Sequence, residues 1–372
     1  MDIARTEPRI RRCFFGCNTS AGFHTYYDFL HELDNGRIFI VKGGPGTGKS
    51  HFLKEIGNSM IERGFNIEYQ HCSLDPESVD AVVVPEIRVV VVAATGHHAF
   101  DPQVPGALDE ILDLGMFWDE DGIRPHYKQI RDIQSTVARH FHQACRYLHA
   151  ARTILDNVAS LCAEAAVEIK INKLMAKITE TLFVHCNDAG FHASERNLFV
   201  SSITPFGTLS HLETFLSPET TIIGLVGEHG AGRSKIINHA AEIARVKGIK
   251  VEICHNPLDR NYMEHLFLPE PNVLLTAKPK EFPEQNPYIY DLNECLAPWV
   301  KEKTRELAEE KANSGYLLEK AVETLHVAKL THEKIEQFYT PNMDFSRMDN
   351  YRKSIENRIL NHAEQFNPGW GH

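Results

Sequence analysis

The sequence predicts an α/β fold built twice, as two parallel-sheet domains from an internal duplication, each followed by a helical hairpin or bundle. Three observations predict it. Short β-rich runs alternate with helix-period segments around two glycine-rich octets, GGPGTGKS at 43–50 and GEHGAGRS at 227–234. Offsetting the chain by the 184 positions between the octets aligns 11 identities over residues 43–86, of which 7 lie outside the octets. Chance would give roughly one in sixteen positions, so duplication explains the match. Finally, 372 residues at 42% hydrophobic content suffice for two cores.

The elements follow in order. RIFIV (37–41) reads as a strand, the octet as a glycine loop, and SHFLKEIGNSMIERG as a helix that ends at Gly64. FNIEYQHC (65–72) is a second strand, and VVVPEIRVVVVAAT supplies one or two more, almost wholly apolar as in a parallel sheet covered on both faces. From about residue 124 long helical runs take over. The second copy repeats the plan: Gly64 meets Gly248, Glu68 meets Glu252, His71 meets His255, Leu74 meets Leu258, and Asp75 meets Asp259. Farther on the register slips, since ILDLG (111–115) resembles IYDLN (289–293) at a shift of 178 and LHAAR (148–152) resembles LHVAK (325–329) at 177. The copies begin near Ile10 and Arg196, which divides the chain into domains 1–190 and 191–372.

Composition narrows the class. The longest apolar stretch is interrupted by Glu86 and Arg88 before the roughly 20 residues of a membrane span, and the N-terminus has no apolar core of signal-peptide length. Eight scattered cysteines do not form a disulfide framework, so a cytoplasmic location is expected. Cys13 and Cys17, even with His24 as a third ligand, fall one short of a tetrahedral zinc site, and the two cysteines read as ordinary buried thiols. A net charge of −11 opposes broad attraction to nucleic acid.

A phosphate-cradling loop needs successive backbone N–H groups turned inward, which glycines permit, and a helix N-terminus favours the anion. Gly43, Gly44, Pro45, Gly46, Thr47, Gly48, Lys49, Ser50 and His51 meet that need: Lys49 would reach the outer phosphates and Ser50 would ligate Mg²⁺. The octet resembles the Walker A motif of the P-loop NTPase superfamily. More narrowly, HCSLDP, VVVPE, HHAFDP and ILDLGMFWD resemble a bacterial family of tandem P-loop ATPase-like proteins that brings no known substrate with it. The resemblance implies bound ATP and Mg²⁺, and the absence of an NKxD-like guanine signature agrees with adenine.

The sequence departs from that pattern where an aspartate should end the strand before His98. Ala93-Ala94-Thr95 stands there, so the usual metal-holding carboxylate is missing. Asp75, Glu86 and Asp101 are the candidate substitutes, Asp75 preferred as a catalytic and metal-side acid because it follows the second strand. His71 at a strand end is read first as structural, and His97 and His98 after the third strand are candidates to line the same cleft, their adjacency arguing against a chelate. His140, His142 and His149 are not spaced to share one helix face.

The second octet keeps Gly227, Gly230, Gly232 and Ser234, but Arg233 replaces the lysine. Arginine lacks the compact ammonium that fits beneath phosphates, so a degenerate copy kept for packing is expected, with a nucleotide-sensing site at these five positions as the alternative. The reading is an ATP-binding protein with one intact and one degenerate site, an Mg²⁺-dependent ATPase or ATP-driven switch. Two alternatives stand beside it: a small-molecule or nucleotide kinase using Asp75, and a nucleotide-gated interaction protein with negligible hydrolysis. The helical segments are candidate surfaces for a protein partner or self-association.

Overall fold

The computed structural model describes residues 7–26, 36–94, 101–184, 194–282 and 287–366. The first half contains β1 (Ile10–Phe14), the hairpin β2 (Gly16–Thr19) and β3 (Gly22–Thr25), β4 (Arg37–Lys42), α1 (Lys49–Glu62), β5 (Ile67–His71), β6 (Val79–Val84), β7 (Val89–Ala93) and β8 (Asp109–Asp113). A single turn, α2 (Glu120–Ile123), leads to the long α3 (Tyr127–Glu164) and then α4 (Glu168–Phe183). The second half repeats the series as β9 (Glu195–Leu198), β10 (Ser201–Thr204), β11 (Gly207–Ser210), β12 (Thr221–Val226), α5 (Arg233–Val246), β13 (Val251–His255), β14 (Met263–Leu268), β15 (Val273–Thr276), β16 (Tyr288–Asp291), α6 (Thr304–Tyr339) and α7 (Phe345–Phe366).

The two six-stranded sheets have one topology, β1-β5-β6-β7-β4-β8 and, from the opposite edge, β9-β13-β14-β15-β12-β16. This confirms the α/β class and the duplicated layout, and it corrects the expected parallel sheets. β6 runs antiparallel to both β5 and β7, as β14 does to β13 and β15, while the other pairs are parallel. The reason is local. Only the turn Pro85–Ile87 and Arg88, left-handed at φ 52°, separate β6 from β7, far too short for the crossover that a parallel pair needs.

α1 starts at Lys49 and closes as the sequence predicts. The amides of Gly64 (φ 89°) and Phe65 donate to Ile61 O and Met60 O, and Gly248 and Ile249 end α5 in the same way.

The helical extensions cross over. α7 belongs to the second half, yet its Met348, Ile355, Ile359 and Ala363 are buried in the first half's core with Phe52 and Ile56 of α1. Reciprocally, Val158 and Cys162 of α3 and Ile178 and Leu182 of α4 are buried with Ile236 and Ala240 of α5. α3 and α6 lie antiparallel, with Phe338 near His126 at one end and Ser314 Oγ donating to Ala151 O at the other. The long helices thus meet each other within the chain. Among the described residues no helix is long and apolar enough to cross a membrane.

The halves are related like the subunits of an isologous dimer. Phe14 bridges Phe199, Arg11 pairs with the buried Glu252, and Arg196 pairs with the buried Glu68 at 2.8 Å. The Cys13 thiol donates toward Glu68 and the Cys17 thiol toward Pro257 O, as buried thiols rather than paired ligands.

Candidate functional site around the first glycine loop

The sequence places β4, a glycine loop and α1 in succession, so the unspent amides of the helix's first turn lie at the loop. Gly46 (φ 70°) and Gly48 (φ 81°) take left-handed conformations that other residues resist. Positions 43–46 and 48–51 line a cavity of about 790 Å³ together with Asp75, within the usual range of roughly 300–1,000 Å³ for small-molecule sites. Thr47 turns inward and donates to Gly44 O.

Lys49 Nζ donates to Gly43 O at 3.1 Å and Gly44 O at 2.6 Å. Burial pushes its ammonium down to about 8, against the opposing pull of Asp80, Glu336 and Cys72. Such a cation, donating to loop carbonyls at the cavity wall, can exchange them for an anion. Ser50 Oγ accepts from the Val79 amide at 2.9 Å, which ties the loop to β6.

Asp80, next along β6, is the acid that sequence reasoning missed. Ala81 pairs with Val92 across the strands, so Asp80 stands beside Ala93, where β7 ends without a carboxylate. It lines the cavity with Lys49 and Ser50, and the Cys72 thiol hydrogen-bonds to it. Its trace in the sequence is an acid recurring at Glu264, 184 positions on.

Asp75 also lines the cavity, but its carboxylate is engaged by Lys329 Nζ at 3.3 Å and by Ser78 Oγ at 2.6 Å. It therefore stands as a tether to α6. Glu86 lies exposed in the turn after β6 and accepts from the Asn66 amide, and the exposed Asp101 pairs with Lys42. His97 and His98 lie outside the described residues. His71 holds the loop after β5 through Pro76 O and contacts Arg12; His255 does the same through Arg260 O and Asn197. Burial pushes both histidines below their usual value, His255 to about 4, so they stay neutral and structural.

The far wall comes from the second half. Lys329, His332, Glu333, Glu336 and Tyr339 of α6 face the loop, at a spacing that puts them on one helical face. A Cβ on Gly44 would strike the Tyr339 ring, and one on Gly46 would meet Glu336 and Thr340.

The second loop has different neighbours. A Cβ on Gly230 would lie 2.2 Å from Ala159 O of α3, Arg233 Nη1 donates to Ala277 O, and Arg233 Cζ lies 5.9 Å from the Tyr262 ring centroid. His229 stacks on that same tyrosine, which stands where the first half has the small Ser78. Ser234 Oγ still accepts from the Met263 amide. Glu264 is spent on Lys278 and Asn256, and Glu228, in place of Gly44, pairs with Lys311. Among the described residues no group of three or more His, Cys, Asp or Glu is arranged to hold a metal ion. Compared with known proteins, the chain matches no family model, no curated protein and no solved structure.

Proposed function

We propose that residues 43–50 bind ATP in the manner of a P-loop NTPase, and that the protein is an Mg²⁺-dependent ATPase or ATP-driven switch with one working site and one relic. One observation carries the reading. The loop that keeps its lysine lines a 790 Å³ cavity, whereas the arginine in the second loop is turned to Ala277 O and the Tyr262 ring, and Ala159 of α3 packs closely on Gly230.

Lys49 would exchange its bonds to Gly43 and Gly44 for phosphate oxygens, and the first-turn amides of α1 would add to them. Ser50 and Asp80 are the pair that would hold Mg²⁺, which supplies charge neutralisation at the phosphates when bound. The donor set fits: one hydroxyl and one carboxylate, both oxygen, with space for metal-bound water. Asp75, tied to Lys329 and Ser78, is less suited to act as a general base on an acceptor, so the kinase reading is not preferred. Titration with ATP tests the proposal: Lys49→Ala should abolish binding, and an unchanged affinity would sink it.

A further inference from the structure

The two loops and their covering helices form an internal control. Gly46 lies against Glu336 of α6, and its counterpart Gly230 lies against Ala159 of α3. Positions 329, 332 and 336 therefore correspond to 152, 155 and 159, the same shift of 177 that aligns LHVAK with LHAAR. The first pair preserves one contact, since Lys329 meets Asp75 and Arg152 meets Asp259 at 2.6 Å. The other two diverge. His332 and Glu336 face the loop with a lysine, while Leu155 and Ala159 occupy the equivalent positions over the loop without one. Each covering helix belongs to the opposite half, so the difference tracks the loop that is faced rather than the half that carries it.

Glu336 is held in register with the loop. Its Cα lies 3.0 Å from the place of a Gly46 Cβ, and Thr340 Oγ1, one turn on, donates to Gly46 O at 3.2 Å. It lines the cavity that holds Lys49 and Ser50. A carboxylate placed beside a phosphate site repels the ligand, so its presence there calls for a use. The charged groups that act on it are Lys49 of α1, Asp75 of the loop after β5, and Lys329 and Glu333 on its own helix. Burial, with Asp75 and Glu333, pushes its carboxyl above the ordinary value, which makes it a stronger base than a surface glutamate.

We propose, on the reading that loop 43–50 binds ATP, that Glu336 is the catalytic carboxylate of that site, supplied by the second half to orient and deprotonate the attacking water. The water oxygen bonds to the terminal phosphorus, and the bond from that phosphorus to the bridging oxygen breaks. ADP leaves with the bridging oxygen, and the water's proton passes to Glu336. The equivalent alanine over the second loop can do none of this.

The test measures ATP hydrolysis across pH, and ATP affinity with and without Mg²⁺, for the wild type, Glu336→Gln and Glu336→Asp. Glu336→Gln should lose turnover by about 100-fold or more, the span expected for a general base. It should bind ATP at least as tightly as the wild type in either condition, because a negative charge has gone. The wild-type rate should rise with pH to a plateau, a limb absent in Glu336→Gln, and Glu336→Asp should restore part of the rate. A folded Glu336→Gln protein that hydrolyses at the wild-type rate overturns the assignment. So does a wild type that binds ATP without hydrolysing it, which leaves the binding reading standing. A wild type that fails to bind ATP overturns both.

Discussion

At the proposed ATP site, Asp80 would supply the carboxylate that β7 lacks. With Ala93 and Ala94 at the strand's end, the carboxylate beside Lys49 and Ser50 comes from the antiparallel neighbour instead. Asp80→Asn keeps the shape and removes the charge, so Mg²⁺ should no longer strengthen ATP binding. The expected loss is about 10-fold or more in the presence of Mg²⁺, with Mg²⁺-free affinity undiminished. Full Mg²⁺ dependence in that variant would move the metal elsewhere in the cavity, with Asp75 the next acid to examine. The octet was legible in the sequence because strand, loop and helix are contiguous and their spacing is local. Asp80 was not, because its place beside Ala93 depends on an antiparallel pairing that an almost wholly apolar run does not reveal.

At the scale of elements, the helices that follow each sheet in the chain cover the other one. Helical periodicity predicted their existence, and it could not reveal their destination, since the contact of Glu336 with Gly46 joins residues far apart in sequence. The seating of α3 on the second loop can be measured. Gly230 has φ 87° and a Cβ added there would lie 2.2 Å from the Ala159 carbonyl oxygen, whereas Gly64 has φ 89° and open space where a Cβ would go. Gly64→Ala should cost about 1 kcal/mol for the left-handed backbone alone. Gly230→Ala should cost about 2 kcal/mol more in urea denaturation, because helix backbone must move to admit the methyl group. Equal losses would mean that α3 does not rest on the loop.

For the molecule as a whole, the pseudo-twofold interface is held by the reciprocal pairs Arg11–Glu252 and Arg196–Glu68, both glutamates almost fully buried. Burial raises the Glu68 carboxyl, and Arg196 and Arg11 overcome that to hold it at about 2, below its ordinary 4.5. A group depressed in the folded state lends its full stability above 4.5 and loses it as pH falls toward 2. Stability should therefore decline across that window, and Glu68→Gln should flatten the decline while lowering stability at pH 7 by about 3 kcal/mol, since it leaves the partly buried Arg11 and Arg196 to share Glu252. An acid limb unchanged in Glu68→Gln would assign it to other carboxylates. Calorimetric titration of the full chain with ATP and Mg²⁺ tests most directly the proposed division into one working loop and one relic. One nucleotide per chain should bind, abolished by Lys49→Ala and untouched by Arg233→Ala. Two nucleotides per chain, or a single one that survives Lys49→Ala, would contradict it.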